Sequence, residues 1–106
     1  MSYNIAKLSD INPTLVTDLK NHCYTIIGLC QQVHREMGHY VDFLVNNDIL
    51  IECKAIECLG TEQRQQLWNY MRLTKINIGI LYNFAPAHDQ CERYYLDNKT
   101  GNMYAF

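Results

Sequence analysis

The chain has 106 residues, of which 48% are hydrophobic, enough for one compact core but not two, so residues 1–106 read as a single domain. Nine basic residues are scattered against eleven acidic ones for a net charge of -2; bulk charge gives no nucleic-acid signature, and no apolar run approaches the roughly 18–20 residues of a bilayer span. Five cysteines (Cys23, Cys30, Cys53, Cys58 and Cys91), without a CxxC pair or a secretory leader, read as reduced thiols of an intracellular protein, cytoplasmic or nuclear.

From Asp10 to Gly38 the pattern is helical. Leu15, Leu19, Cys23, Ile26, Cys30, Val33 and Met37 recur at threes and fours, Asp10 or Asn12 can cap, Pro13 suits the first turn, and Gly38 is a stop. "YVDFLV" and "ILIECKAI" are β-prone runs around "NND" and read as a hairpin. "TEQRQQLWNYMRLT", Thr61 to Thr74, predicts a second helix that Thr61 can cap. "INIGILYNF" is an apolar strand closed by Pro86, and "CERYYLD" with "NMYAF" around "NKTG" predicts a final hairpin. The order is long helix, hairpin, helix, strand, hairpin: a mixed α/β (α+β) chain.

The run "ILIECKAIE", Ile49 to Glu57, sets Glu52 and Lys54 on one face of an otherwise apolar strand and Cys53 on the other. Whether Asp42 joins them depends on the turn. A two-residue loop at Asn46 and Asn47 pairs Val45 with Asp48 and turns Asp42 away from Glu52; a three-residue loop, Asn46 to Asp48, pairs Val45 with Ile49 and Asp42 with Glu52, and only that register or an equivalent bulge brings both carboxylates and Lys54 together. If the two carboxylates meet, their oxygens can hold Mg²⁺ or Mn²⁺, and the Lys54 ammonium can orient an attacking water or stabilise charge on a phosphate. The alternative is a salt-bridged Glu52–Lys54 pair on a partly exposed sheet face.

Other features carry less chemistry. Cys30 and His34 lie one helical turn apart, but no second pair follows at zinc-site spacing. Cys53 and Cys58 have no basic partner that would make either a nucleophile. The C-terminal half is rich in aromatic residues, including Trp68, Tyr70, Tyr82, Tyr94, Tyr95, Tyr104 and Phe106. Core and interface packing suits them better than stacking on single-stranded bases, and a terminal strand docked on a partner subunit would explain the apolar Phe106.

The pattern D-x9-E-x-K on a hairpin, followed by a helix carrying "QLWNY", resembles the PD-(D/E)xK nuclease superfamily. The likeness implies a minimal restriction-endonuclease-like core in which Asp42 and Glu52 bind metal and Lys54 assists catalysis. Gln66 and Tyr70 match the Q-x-x-x-Y of its RecB-like branch, and at i and i+4 they point the same way. The blocks "YTIIGLCQQVHREMG", "DFLVNNDILIECKAIE" and "QLWNYMRLTKINIGILYNF" are similar to the GxxExxY family of small PD-(D/E)xK-like proteins. Glu57 matches the glutamate of its "KAxE" pattern and His34 its "VH".

Against that family the chain is shortened: Gly38 passes almost directly to His39, Tyr40 and Asp42, the segment bearing the namesake motif is missing, and Gln32 stands where a glutamate commonly precedes "VH". The trimmed sheet then exposes the edge of the Asp42 strand, which a second copy could cover as a homodimer. Two functions follow as expectations: a Mg²⁺- or Mn²⁺-dependent nuclease acting on nucleic acid, or a catalytically degenerate homodimeric binding or architectural module on the same fold. A packing-driven interaction protein, whose acidic residues form salt bridges, is the third.

Overall fold

A computed structural model describes residues 5–37, 43–46, 48–84 and 87–106. The elements run β1 (Ala6–Lys7), a 3-10 turn (Leu8–Asp10), α1 (Pro13–Met37), β2 (Phe43–Asn46), β3 (Ile49–Lys54), α2 (Thr61–Thr74), β4 (Ile78–Asn83), β5 (Gln90–Leu96) and β6 (Met103–Ala105). They form one mixed six-stranded sheet of order β1-β6-β5-β4-β3-β2. β3 and β4 are parallel neighbours joined by α2, which is a βαβ crossover; β2–β3, β4–β5 and β5–β6 are antiparallel. This is the α+β architecture expected, consistent with a restriction-endonuclease-like core. Among the described residues no helix is long and apolar enough to cross a membrane.

Each face of the sheet carries one helix. Alternation along β3 and β4 sends Ile49, Ile51, Cys53, Ile78, Ile80 and Tyr82 toward Val16, Leu19 and Cys23 of α1. The other face holds Leu50 and Leu81 against Leu67, Trp68 and Met71 of α2. Gly79 lies on this second face, opposite Leu50 and Tyr94 on its neighbouring strands. A Cβ there would collide with the Met71 thioether, so the glycine lets α2 sit close on β4.

At α1 one of the two expected caps is used, and at α2 the cap lies one residue before the expected Thr61. Asn12, rather than Asp10, caps α1: its Oδ1 accepts the Leu15 N–H at 3.1 Å, while Asp10 ends the 3-10 turn. At α2 the cap is Gly60 and Thr61 is the first helical residue; Gln63 Oε1 reaches back to accept the Gly60 N–H at 2.9 Å. Lys75 closes α2 in the left-handed conformation, φ 59°, and its carbonyl accepts from Asn98 Nδ2 at 2.9 Å.

The β2–β3 register is neither of the two considered. Asn46 pairs with Ile49, Val45 with Leu50, Leu44 with Ile51, and Phe43, not Asp42, stands opposite Glu52. Two residues, 47 and 48, separate the paired strand ends, so the turn begins one residue later than the shorter alternative. Asp42, Gly38 and Pro86 lie outside the described residues, as do the side chains of Cys30, Gln32 and His34.

The C-terminal strand needs no partner subunit to explain its apolar end. β6 lies between β5 and the parallel β1, which the sequence reading did not anticipate. Phe106 N–H donates to the Arg93 carbonyl at 3.0 Å, Arg93 Nε donates to the Phe106 carbonyl at 3.0 Å, and the guanidinium lies 5.5 Å from the Phe106 ring centroid.

Candidate active site

Glu52 and Lys54 share the α2 face of β3, as period-two alternation requires. Glu52 is completely buried, flanked by Leu81 across the parallel pairing. Lys54 Nζ stands 3.0 Å from Glu52 Oε1, with 21% of the lysine side chain exposed, so the pair runs from the sheet interior to the surface. The expected salt bridge is present, and its exposure is divided: the cation reaches solvent and the carboxylate does not. Burying a carboxylate costs several kcal/mol, and the nearby ammonium offsets part of that.

The helix over this face has two flanks. Arg64 and Trp68 turn toward β5: the Arg64 guanidinium forks onto the Glu92 carboxylate with two bonds of 2.7 Å, and the Trp68 ring meets Tyr94 edge-on at 5.3 Å. On a helix of 3.6 residues per turn, Gln66 and Tyr70 then lie on the opposite flank, toward β3. Both are exposed, Tyr70 by 41%. Tyr94 O–H also donates to Glu92, at 2.5 Å. Burial pushes the Glu92 carboxyl up, but the bonds from Arg64 and Tyr94 and the Arg64 charge outweigh it, leaving the group below its ordinary value. Burial, then the bond to Glu92, pushes the Tyr94 hydroxyl up.

Beyond Lys54 the chain leaves the sheet through residues 55–60, and a buried amide holds that loop. Asn83 is register partner of Lys54 on β4. Its Oδ1 accepts the Ile56 N–H at 2.9 Å, and its Nδ2 donates to the Ile56 carbonyl at 2.8 Å and to Gln90 Oε1 at 3.0 Å. Gln90 Oε1 in turn accepts the Leu59 N–H at 3.3 Å. Phe84 N–H donates to the Lys54 carbonyl at 2.9 Å. Asn83 and Gln90 were missed by sequence reasoning; the available signal was an amide closing the otherwise apolar run "IGILYN".

Residues 36–94, more than half of the chain, match the PD-(D/E)XK nuclease superfamily. The chain belongs to that superfamily. No curated protein and no solved structure matches it. The matched segment contains β2, β3, α2 and β4, and with them Glu52, Lys54, Gln66 and Tyr70. Membership supports a nuclease-like function at the superfamily level, and PD-(D/E)XK nucleases typically use divalent metals. Among the described residues no group of three His, Cys, Asp or Glu side chains converges on a common point. Glu52 has the hard oxygen donors that Mg²⁺ or Mn²⁺ prefers, and that chemistry fits one ligand position.

Proposed function

We propose that this chain is a divalent-metal-dependent phosphodiesterase acting on nucleic acid, an internally shortened relative of the GxxExxY family. In this reading Glu52 holds Mg²⁺ or Mn²⁺, and because Phe43 takes the place opposite Glu52, Asp42 joins it through a bulge ahead of β2; Lys54 directs the attacking water, and Gln66 and Tyr70 position the substrate or the lysine. The observation that carries it is the buried Glu52 beside Lys54 on a sheet face otherwise packed with Leu50, Leu81 and Met71. Apolar residues in place of a buried ion pair are often as stable or more so, which makes stability a weak reason for the pair and chemistry a better one. The metal, when bound, would supply Lewis-acid stabilisation of the phosphate. Asn83 would steady the segment that follows Lys54.

The test is calorimetric titration of Mn²⁺ and Mg²⁺ into the wild type, Asp42→Asn and Glu52→Gln, with cleavage of single- and double-stranded DNA and RNA followed in parallel. Metal binding and cleavage should both be lost in the variants. A wild type that neither binds the ions nor cleaves any of the four substrates refutes the proposal.

A second copy completes this reading. Among the described residues β2 has one strand neighbour, β3, and ends the sheet, so a homodimer joined edge to edge would cover it. Sedimentation should show a dimer that Val45→Lys dissociates; a monomeric wild type at the highest soluble concentration rules the dimer out.

A further inference from the structure

The sheet face opposite Glu52 and Lys54 carries a second feature, independent of hydrolysis. Two hollows of about 210 and about 300 Å³ lie along one flank of α1. Lys7, Lys20 and Phe106 border the first; Tyr24, Gly28 and Arg93 border the second. Lys20, Tyr24 and Gly28 are spaced by four along the helix and so form one continuous stripe. Arg93, on the border of the second hollow, and Phe106, on the border of the first, touch each other through the hydrogen bonds and ring contact described above, so the two hollows are neighbours between α1 and the β5–β6 end of the sheet, and we take them together as one groove.

The charge of this groove runs against that of the chain. The protein is net acidic, with nine cations to eleven anions, yet three of its cations line the groove and no side-chain carboxylate does among the described residues. Its aromatic wall is open: Tyr24 is 81% exposed, unusual for a ring on a packed helix. A Cβ on Gly28 would meet nothing within 4 Å, so the floor beside that ring is open as well. Asp48, the carboxylate of the β2–β3 turn, is occupied by His22 at 3.0 Å, which places its charge on a partner rather than in the groove.

Cations along a channel with an exposed ring beside them match a phosphodiester strand whose bases stack as its phosphates are neutralised. An acidic peptide would use the cations and leave the ring without a role. We propose that this groove binds single-stranded nucleic acid, on the face of the sheet away from the candidate active site.

The test uses the full chain, with EDTA present so that metal-dependent contacts at Glu52 do not contribute. Fluorescence anisotropy would follow a labelled oligothymidylate of about 12 nucleotides, within the range one small domain covers. Wild type should bind, and log Kd against log salt should have a slope near 2, about 0.7 for each of three phosphates. Tyr24→Ala should weaken binding about tenfold and Tyr24→Phe should restore it, since the ring and not the hydroxyl stacks. Lys20→Ala should lower the slope by about 0.7. Arg72→Ala, which removes an exposed cation from α2 on the other face, should leave Kd unchanged. All these side chains are exposed, so thermal midpoints should match the wild type.

No binding by the wild type overturns the proposal, as does binding that is indifferent to Tyr24 and Lys20. Polyglutamate bound as tightly as the oligonucleotide, with no loss in Tyr24→Ala, would assign the groove to an acidic protein partner instead. None of these outcomes bears on cleavage, so the hydrolytic reading stands or falls by its own assay.

Discussion

Replacing Asn83 with alanine tests how the loop after Lys54 is held. The Asn83 amide is fully buried and bonds both backbone groups of Ile56 as well as Gln90 Oε1. Each such bond contributes about 1 kcal/mol net, and a buried group left unsatisfied costs about 1–3 kcal/mol. Ile56 is half-buried, so water can replace part of what its N–H and carbonyl lose. Gln90 Oε1 keeps the Leu59 N–H. The lower figure therefore applies to each of the three bonds, and the expected destabilisation is about 3 kcal/mol. For a domain near this size that lowers the thermal midpoint by about 10–20 °C. Calorimetry would measure the midpoint, and amide exchange at Ile56 should accelerate more than exchange in β3. A midpoint within about 3 °C of the wild type would refute the assignment of Asn83 as the clamp of this loop.

Gly79→Ala should destabilise by about 1–3 kcal/mol, because its methyl displaces the buried Met71 side chain; in urea unfolding the loss of the Gly79→Ala, Met71→Ala double variant should be smaller than the sum of the two single losses, and strict additivity would refute the contact. Replacing Glu52 and Lys54 together by methionine should leave stability within about 2 kcal/mol of the wild type or raise it, while abolishing any cleavage; a large loss of stability would make the pair structural. Glu92 has a folded pKa held below its ordinary 4.5, so its contribution to stability is present above that value and lost as pH falls through the lower folded value. The stability advantage of wild type over Glu92→Gln should therefore be full at neutral pH and shrink on acidification, as pH-dependent denaturation curves would show. The Cys23 thiol, pushed up to about 11 by burial despite the Arg93 charge, should resist alkylation at neutral pH while the exposed Cys58 reacts.

The elements that could be read from the sequence are those whose signal is local. Pro13 and the apolar spacing of α1, the amphipathic run of α2 and the β-branched strands each repeat with a period that one stretch of chain displays. What could not be read required counting or covering. The register at Glu52 turns on a single residue among Asn46, Asn47 and Asp48, all three compatible with a turn, and a slip of one changes which residue stands opposite the carboxylate. β1 has two residues, too few for any period, and exists because β6 offers it an edge. Asn83 looks like a polar strand end until Ile56 is brought across from another part of the chain. The Glu52–Lys54 pair shows the division within one motif. Alternation alone places both side chains on one face, but that face becomes dry at Glu52 only because the crossover from β3 to β4 lays α2 over it. The burial that sets this pair apart from an ordinary surface salt bridge is thus a property of topology, and no spacing within "ILIECKAIE" could have carried it.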